Sequence, residues 1–281
     1  GLRSGDIYAP WPEEVARRTI ATLARYHFAP TRLAVEALER EGVAADTIRE
    51  TGNTIVDALL ATRDRLDRHP DMVADLEPLL ARTAGRRLIL VTCHRRESFG
   101  PGMRAIATAL LEIANRGDVS IVFPVHPNPN VRSIMEGALA GHEAINLVEP
   151  LDYPHFVRLL DLAYLVITDS GGVQEEAPSF GKPVIVLRET TERMESVHAG
   201  TAKLVGTDKD AIVSTATELL NDTAKYSAMS LAQNPYGDGQ AAERIGGHQI
   251  RIEGDVRRHL AVIFEIDPTV VENAHGLLDP F

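Results

Sequence analysis

The densest chemistry in the sequence lies in nine residues, Thr168-Asp169-Ser170-Gly171-Gly172-Val173-Gln174-Glu175-Glu176. They follow a short apolar run, Leu165–Thr168, and lead into a helical pattern. Two glycines at a strand-to-helix turn let a diphosphate approach the backbone closely. The opening turn of the helix then offers N–H groups with no intrahelical partner and a partial positive charge. Ser170 adds a hydroxyl donor, and Glu176, one helical turn in, suits acceptance of hydrogen bonds from ribose hydroxyls. The same spacing also fits an ordinary glycine-containing turn followed by a solvated pair of carboxylates, since short glycine motifs recur by chance.

Three further clusters follow other apolar runs. Val91-Thr92-Cys93-His94-Arg95-Arg96-Glu97-Ser98 places a histidine and two arginines together. Arginine forks bind phosphate bidentately, and His94 can donate to a departing phosphate or shuttle a proton. A solvated Arg-Arg-Glu turn beside a buried histidine has the same pattern. Pro124-Val125-His126-Pro127-Asn128-Pro129-Asn130 reads as an extended loop with Asn130 capping the next helix. Arg193, in Thr190-Thr191-Glu192-Arg193, would face the same crevice, where it could pair with a diphosphate; a lone arginine is also a common surface charge. Near the start, Pro10-Trp11-Pro12-Glu13-Glu14 puts two carboxylates at a helix N-terminus. That is favourable charge–dipole placement, and it is also where a general acid or base could stand.

The elements that must position these groups alternate along the chain. A helix is expected from Glu13 to Arg25, an apolar segment at Tyr26–Ala29, and a second helix capped by Thr31 and stopped by Gly42. A short strand follows at Ile48–Thr51 and a helix at Thr54–Leu66. Residues 67–85, polar and carrying Pro70, Pro78 and Gly85, read as a connection between domains. Beyond them six short apolar segments alternate with helical patterns: Leu88–Thr92, Val119–Val125, Ala144–Val148, Leu165–Thr168, Val184–Leu187 and Lys203–Val205. The helices are expected at 102–115, 130–140, 153–163, 173–179 and 209–221. This rhythm predicts an α/β fold with a parallel sheet covered by helices on both faces, and ligands bind such sheets beyond the carboxyl ends of the strands. Each motif except the Glu13-Glu14 pair sits just there. Residues 246–281 carry a possible strand, Leu260–Ile266, and no motif.

Composition bounds the partners. The chain has 281 residues and a net charge of −11, and no Lys/Arg run exceeds two residues. Nucleic acid and an anionic membrane surface are therefore poor partners, whereas a small anionic ligand needs only a few placed N–H groups and arginines. Cys93 is the single cysteine, so no intrachain disulfide forms and a reducing compartment is the default. No apolar run has the length of a membrane span and no apolar leader opens the chain, so a cytoplasmic location is expected.

Taken together, the blocks Gly1–Glu14, His27–Thr31, Thr51–Leu60, Val91–Gly100, Pro124–Arg132, Thr168–Val184, Arg188–Arg193, Ala199–Asp208 and Asn234–Ile245 resemble the non-hydrolysing UDP-N-acetylglucosamine 2-epimerases, in order and with family-like spacing. The resemblance implies two Rossmann-like domains of the B-type glycosyltransferase kind: an incomplete first one at 1–66, the connection at 67–85, and a UDP-binding domain at 86–245. It implies interconversion of UDP-N-acetylglucosamine and UDP-N-acetylmannosamine by elimination and re-addition of UDP, with no metal or other cofactor, in a homodimer. Ser170, Gly171, Gly172, Glu176 and Arg193 would bind UDP, Phe156 would lie near the nucleotide and His94 near the leaving phosphate. Glu13 would be a catalytic carboxylate, and Arg95 and His126 match positions near a regulatory site for a second substrate molecule.

The family's Gly-Thr-Arg-Pro-Glu and Gly-Asp-Thr motifs do not occur in these residues, and another catalytic glutamate precedes the position of Gly1. The expectation is therefore a fragment lacking on the order of one hundred N-terminal residues, about one Rossmann half-domain, with little or no epimerase activity by itself. Its N-terminal part should be mobile, leaving a proteolytic core that starts near residue 80. A non-catalytic UDP-sugar-binding module and a B-type glycosyltransferase are the alternatives.

Overall fold

The computed structural model describes residues 3–8 and 11–247; the strand expected at Leu260–Ile266 and nearly all of the 246–281 segment lie outside them. The chain opens with α1 (Glu13–Leu23), followed by β1 (His27–Ala29), α2 (Arg32–Arg40) and β2 (Ile48–Glu50). Thr31 caps α2 as expected, its hydroxyl accepting the Ala34 N–H at 3.2 Å. β1 and β2 pair in parallel, three residues each, and with α2 they enclose a small core of Ala29, Ala34, Val35, Leu38 and Ile48. Tyr8, Trp11, Ile20 and Leu23 stay exposed around it.

α3 (Thr54–Arg68) starts at an Asn53 cap. A 3-10 segment, Pro70–Leu76, and α4 (Glu77–Thr83) follow, so most of the stretch expected as an irregular connection is helical. Val73, Leu76 and Leu79 are buried in one cluster with Leu59 and Leu66 of α3 and with Leu88, Leu90, Val166 and Val184 of the large sheet. Three apolar residues at intervals of three present one stripe to that sheet, and the prolines sit at first-turn positions, where a missing N–H costs nothing. The sequence reading took the prolines as breakers; here they start helices.

The large sheet holds β3 (Arg87–Thr92), β4 (Val119–Pro124), β5 (Ile145–Val148), β6 (Leu165–Thr168), β7 (Val184–Val186) and β8 (Ala202–Leu204). All neighbours are parallel, in the order β5-β4-β3-β6-β7-β8. Between them run α5 (Pro101–Ala114), α6 (Pro129–Leu139), α7 (Tyr153–Leu162), α8 (Gly171–Glu176) with a 3-10 turn at Ala177–Phe180, and α9 (Met194–His198). α10 (Lys209–Asn221), α11 (Thr223–Ser230) and α12 (Ala241–Gly247) close the described chain. Strand residues are buried on both faces. Ile89, Val91, Ile121, Phe123 and Ile167 pack with α5, α6 and α10, while Leu90, Val122 and Val166 pack with α3, α4 and α7. Burial on both faces is why these strands read as continuous apolar runs without alternation.

One expected cap moves. Asn128, not Asn130, caps α6, its side chain accepting the Asn130 N–H at 3.0 Å. Pro129 suits the first helical position and fixes the cap one residue before itself.

Candidate functional site

Successive strands leave β3 in opposite directions: β4 and β5 lie on one side, β6, β7 and β8 on the other. The connections after β3 and β6 therefore part company and open a crevice at the carboxyl end of the sheet. A cavity of about 730 Å³ occupies it, within the size range of small-molecule sites. It is lined by His94 and Arg95 after β3, His126 after β4, Tyr153 and Phe156 at the start of α7, Ser170, Gly171, Gly172 and Glu176 after β6, and Arg193 before α9. Nine of the ten residues singled out from the sequence meet there. The tenth, Glu13, is exposed at the start of α1 and does not line this cavity. Its neighbour Glu14 is fully buried; its carboxylate accepts the Ser4 N–H and the Arg18 Nε–H, both at 3.1 Å.

At the glycine turn, Ser170 makes no capping bond to α8, so its hydroxyl and the first-turn N–H groups are available to an oxygen ligand. Gly171 is required by a close approach: a Cβ there would lie 2.3 Å from Cζ of Arg193. That arginine cannot easily retreat. Its Nε donates to Glu175 at 2.9 Å and its Nη1 meets Glu192 at 2.8 Å. The other oxygen of Glu175 accepts from Asn53 Nδ2 at 2.6 Å, joining the cavity wall to the start of α3. Gln174, fully buried, accepts from Thr191 Oγ1 and donates to the Ser170 carbonyl, tying the β7 connection to the turn.

Glu176 is nearly buried and accepts a hydrogen bond from the Tyr153 hydroxyl at 2.8 Å. Burial pushes its carboxyl up to about 7, with the neighbouring Glu175 adding to the rise and the tyrosine bond opposing it. Glu176 therefore passes between neutral and charged forms near neutrality, in a position to accept from a polyol when ionised. On the β3 side the rings of His94 and His126 stack, 5.4 Å between centroids. Burial lowers the pKa of His94, Asp169 opposes the fall, and the charges of Arg95 and His126 reinforce it. Arg95 Nε is buried with no hydrogen-bond partner among the described residues. An arginine so placed, with Arg193 across the cavity, offers guanidinium donors where a diphosphate would lie. The Cys93 thiol beneath is buried, and burial together with Asp169 holds its pKa well above the ordinary value, so it stays a thiol. Among the described residues no group of three or more His, Cys, Asp or Glu is arranged to hold a metal ion.

The sequence reading passed over Asp169, Glu175, Gln174 and Tyr153. Asp169 had a detectable signal, a carboxylate one threonine after the apolar run Leu165-Val166-Ile167. Tyr153 had none, because nothing in its neighbourhood announces that α7 begins over the cavity.

A parallel sheet of this order, with an anion-ready glycine turn at its switch point and a smaller parallel unit before it, defines an α/β protein of the B-type glycosyltransferase fold. Residues 1–248 match the family model described as UDP-N-acetylglucosamine 2-epimerase, and the chain belongs to that family. It is 54% identical over 247 residues to a probable UDP-N-acetylglucosamine 2-epimerase of Ralstonia solanacearum, covering 87% of this chain and 66% of that protein. To the UDP-N-acetylglucosamine 2-epimerase of Escherichia coli it is 51% identical over 249 residues, with the same coverage. The crystal structure of the Neisseria meningitidis enzyme bound to UDP-GlcNAc superposes with a TM-score of 0.82 at 40% identity, covering 88% of this chain and 67% of that one. The chain thus spans just under two thirds of the curated relatives' length. The wall teichoic acid polymerase TagF, at 17% identity and a TM-score of 0.52, shares the fold alone.

Proposed function

We propose that this chain is the UDP-holding part of an enzyme that interconverts UDP-N-acetylglucosamine and UDP-N-acetylmannosamine. The observation that carries the reading is the convergence of Ser170, Gly171, Gly172, Glu176 and Arg193 on one cavity at the β3–β6 switch point. The glycine turn and Arg193 bind the diphosphate, Glu176 accepts from the ribose, and Phe156 packs against the nucleotide. A carboxylate base removes the proton at C2 of the sugar while the C1–oxygen bond breaks, leaving a C1–C2 double bond and free UDP in the site. Reprotonation of C2 from the other face and return of UDP to C1 complete the change. Loss of UDP needs preorganised donors around the diphosphate, and His94 with the arginines supplies them. Glu13 serves as one carboxylate of the proton transfers. Arg95 and His126, on the β3–β4 side of the cavity, serve the regulatory binding of a second substrate molecule. Likeness to the family also supports a homodimer and a cytoplasmic location. Among the described residues no helix is long and apolar enough to cross a membrane.

Calorimetric titration of residues 1–281 with UDP tests the binding half. Binding in the micromolar range is expected, weakened about tenfold or more by Arg193→Ala, which removes charge-assisted hydrogen bonds. Absence of UDP binding would overturn the reading. We expect this stretch alone to convert UDP-N-acetylglucosamine at a small fraction of an ordinary enzyme's rate, because the family's Gly-Thr-Arg-Pro-Glu and Gly-Asp-Thr motifs do not occur in these residues. Chromatographic detection of rapid UDP-N-acetylmannosamine formation would contradict that.

A further inference from the structure

The carboxylate of Asp169 is fully buried at the carboxyl end of β6, directly across the switch point from the loop that follows β3. One oxygen, Oδ2, accepts the backbone N–H groups of both His94 and Arg95, each at 2.7 Å. The other, Oδ1, is a buried oxygen with no hydrogen-bond partner among the described residues, and Nδ1 of the His94 ring lies 3.3 Å from it. The backbone N–H of Asp169 in turn donates to the Thr92 carbonyl at 3.2 Å, and the Thr92 and Thr168 hydroxyls meet at 2.6 Å, so the two strand ends are laced together. An ionised carboxylate accepts and cannot donate. A ring nitrogen facing it must carry the proton.

We propose that Asp169 is a positioning residue for His94: it holds the Nδ1–H tautomer and turns the opposite nitrogen, Nε2, to the cavity. This rests on the reading of the cavity as a diphosphate site, and it adds to that reading the group that prepares the histidine. Neutral His94 then offers an Nε2 lone pair. On protonation it offers an Nε2–H to the departing phosphate, with the positive ring balanced by Asp169 from behind. The His126 ring stacks on the His94 ring at an interplanar angle of 17° and forces no different tautomer. Its own Nδ1 accepts the Asn128 N–H at 3.1 Å. The other charged or titratable residues lining the cavity are Arg95 and Cys93 on the His94 loop, with Asp152, Tyr153, Glu176 and Arg193 on the remaining walls. A plain loop clamp would need only Oδ2. The ring contact of Oδ1 is what the clamp does not explain.

Asp169→Asn separates the two roles. The amide oxygen can still accept both backbone N–H groups, while the amide NH₂ faces Nδ1 as a donor and drives His94 to the Nε2–H tautomer. Long-range ¹H–¹⁵N correlation spectra of the 281-residue chain, assigned with His94→Gln, read the tautomer and its titration directly. The expected result is Nδ1–H in the unaltered chain and Nε2–H in Asp169→Asn, with the titration of His94 moved down by about one pH unit or more through loss of the neighbouring anion. An Nε2–H tautomer in the unaltered chain overturns the proposal without any variant, so a failure of Asp169→Asn to fold does not shelter it. An unchanged ring in a folded Asp169→Asn chain overturns it as well. UDP affinity measured against pH forms a separate arm: the gain in affinity on acidification should follow the His94 titration and move with it in Asp169→Asn. Absence of UDP binding at every pH would count against the cavity's assignment, while the ring spectra would still decide the role of Asp169.

Discussion

Glu176 carries the clearest pH signature at the scale of single residues. Its carboxyl is raised from 4.5 to about 7, first by burial and then by Glu175, so the folded chain holds this proton more tightly than the unfolded chain. Between about pH 4.5 and 7 the folded state therefore binds more protons, and stability falls as pH rises through that window. A shift of that size corresponds to at most about 3 kcal/mol. Glu176→Gln should accordingly raise stability at pH 8 and change little below pH 4.5, as read by denaturant unfolding at the two pH values. Equal effects at both would contradict the assignment. At this scale the sequence was informative where chemistry and position coincide, as in Gly171, Glu176 and Arg193. It did not tell Glu13 from Glu14, adjacent carboxylates of which only the second is buried. Arg18 and the Ser4 backbone make that choice, and neither is visible in a local motif.

Among the elements, the 3-10 segment Pro70–Leu76 and α4 depart furthest from the expected organisation. The inner strands β3, β4, β6 and β7 were legible because burial on both faces leaves them nearly continuous apolar runs. The helix expected at Thr54–Leu66 was legible as well and runs on to Arg68, but the helical turns of 70–83 were not, because Val73, Leu76 and Leu79 are dilute among polar residues and the prolines suggested a linker. Those helices share the core of the large sheet, and we propose that the boundary between the two units lies before Thr54 rather than at 67–85. Limited proteolysis should then leave a resistant core starting near residue 54; a core starting near residue 80 would restore the connection. Leu66→Ala, at a position 1% exposed, should cost about 2–5 kcal/mol of the sheet unit's stability in chemical denaturation. A cost below 1 kcal/mol would mean that α3 is not part of that core.

At the scale of the whole molecule, the two units differ in how much holds them together. The unit before Thr54 has two three-residue strands and six buried apolar residues, with Trp11, Ile20 and Leu23 exposed beside them. The six-stranded sheet is packed on both faces. Local opening should therefore be frequent in β1 and β2 and rare in β3 and β6, and hydrogen exchange followed by mass spectrometry should show early exchange at 27–50 and late exchange at 87–92 and 165–168. Similar protection in both would contradict it. The sequence revealed the alternation of strands and helices but not the order β5-β4-β3-β6-β7-β8, since pairing partners leave no local trace. Hydrogen bonds join the units at several points: Thr31 donates to Glu195 at 2.8 Å, the Asn53 N–H to the Tyr236 carbonyl at 2.7 Å, Arg244 to the Thr51 carbonyl at 3.1 Å, and the Asn53 side chain to the carboxylate of Glu175 that also holds Arg193. One carboxylate thus serves two masters. An anion that draws Arg193 toward itself loosens the hold of Glu175 and so alters how firmly the first unit is tethered. Thermodynamic reciprocity then requires that whatever steadies the tether alter the anion's affinity by the same factor.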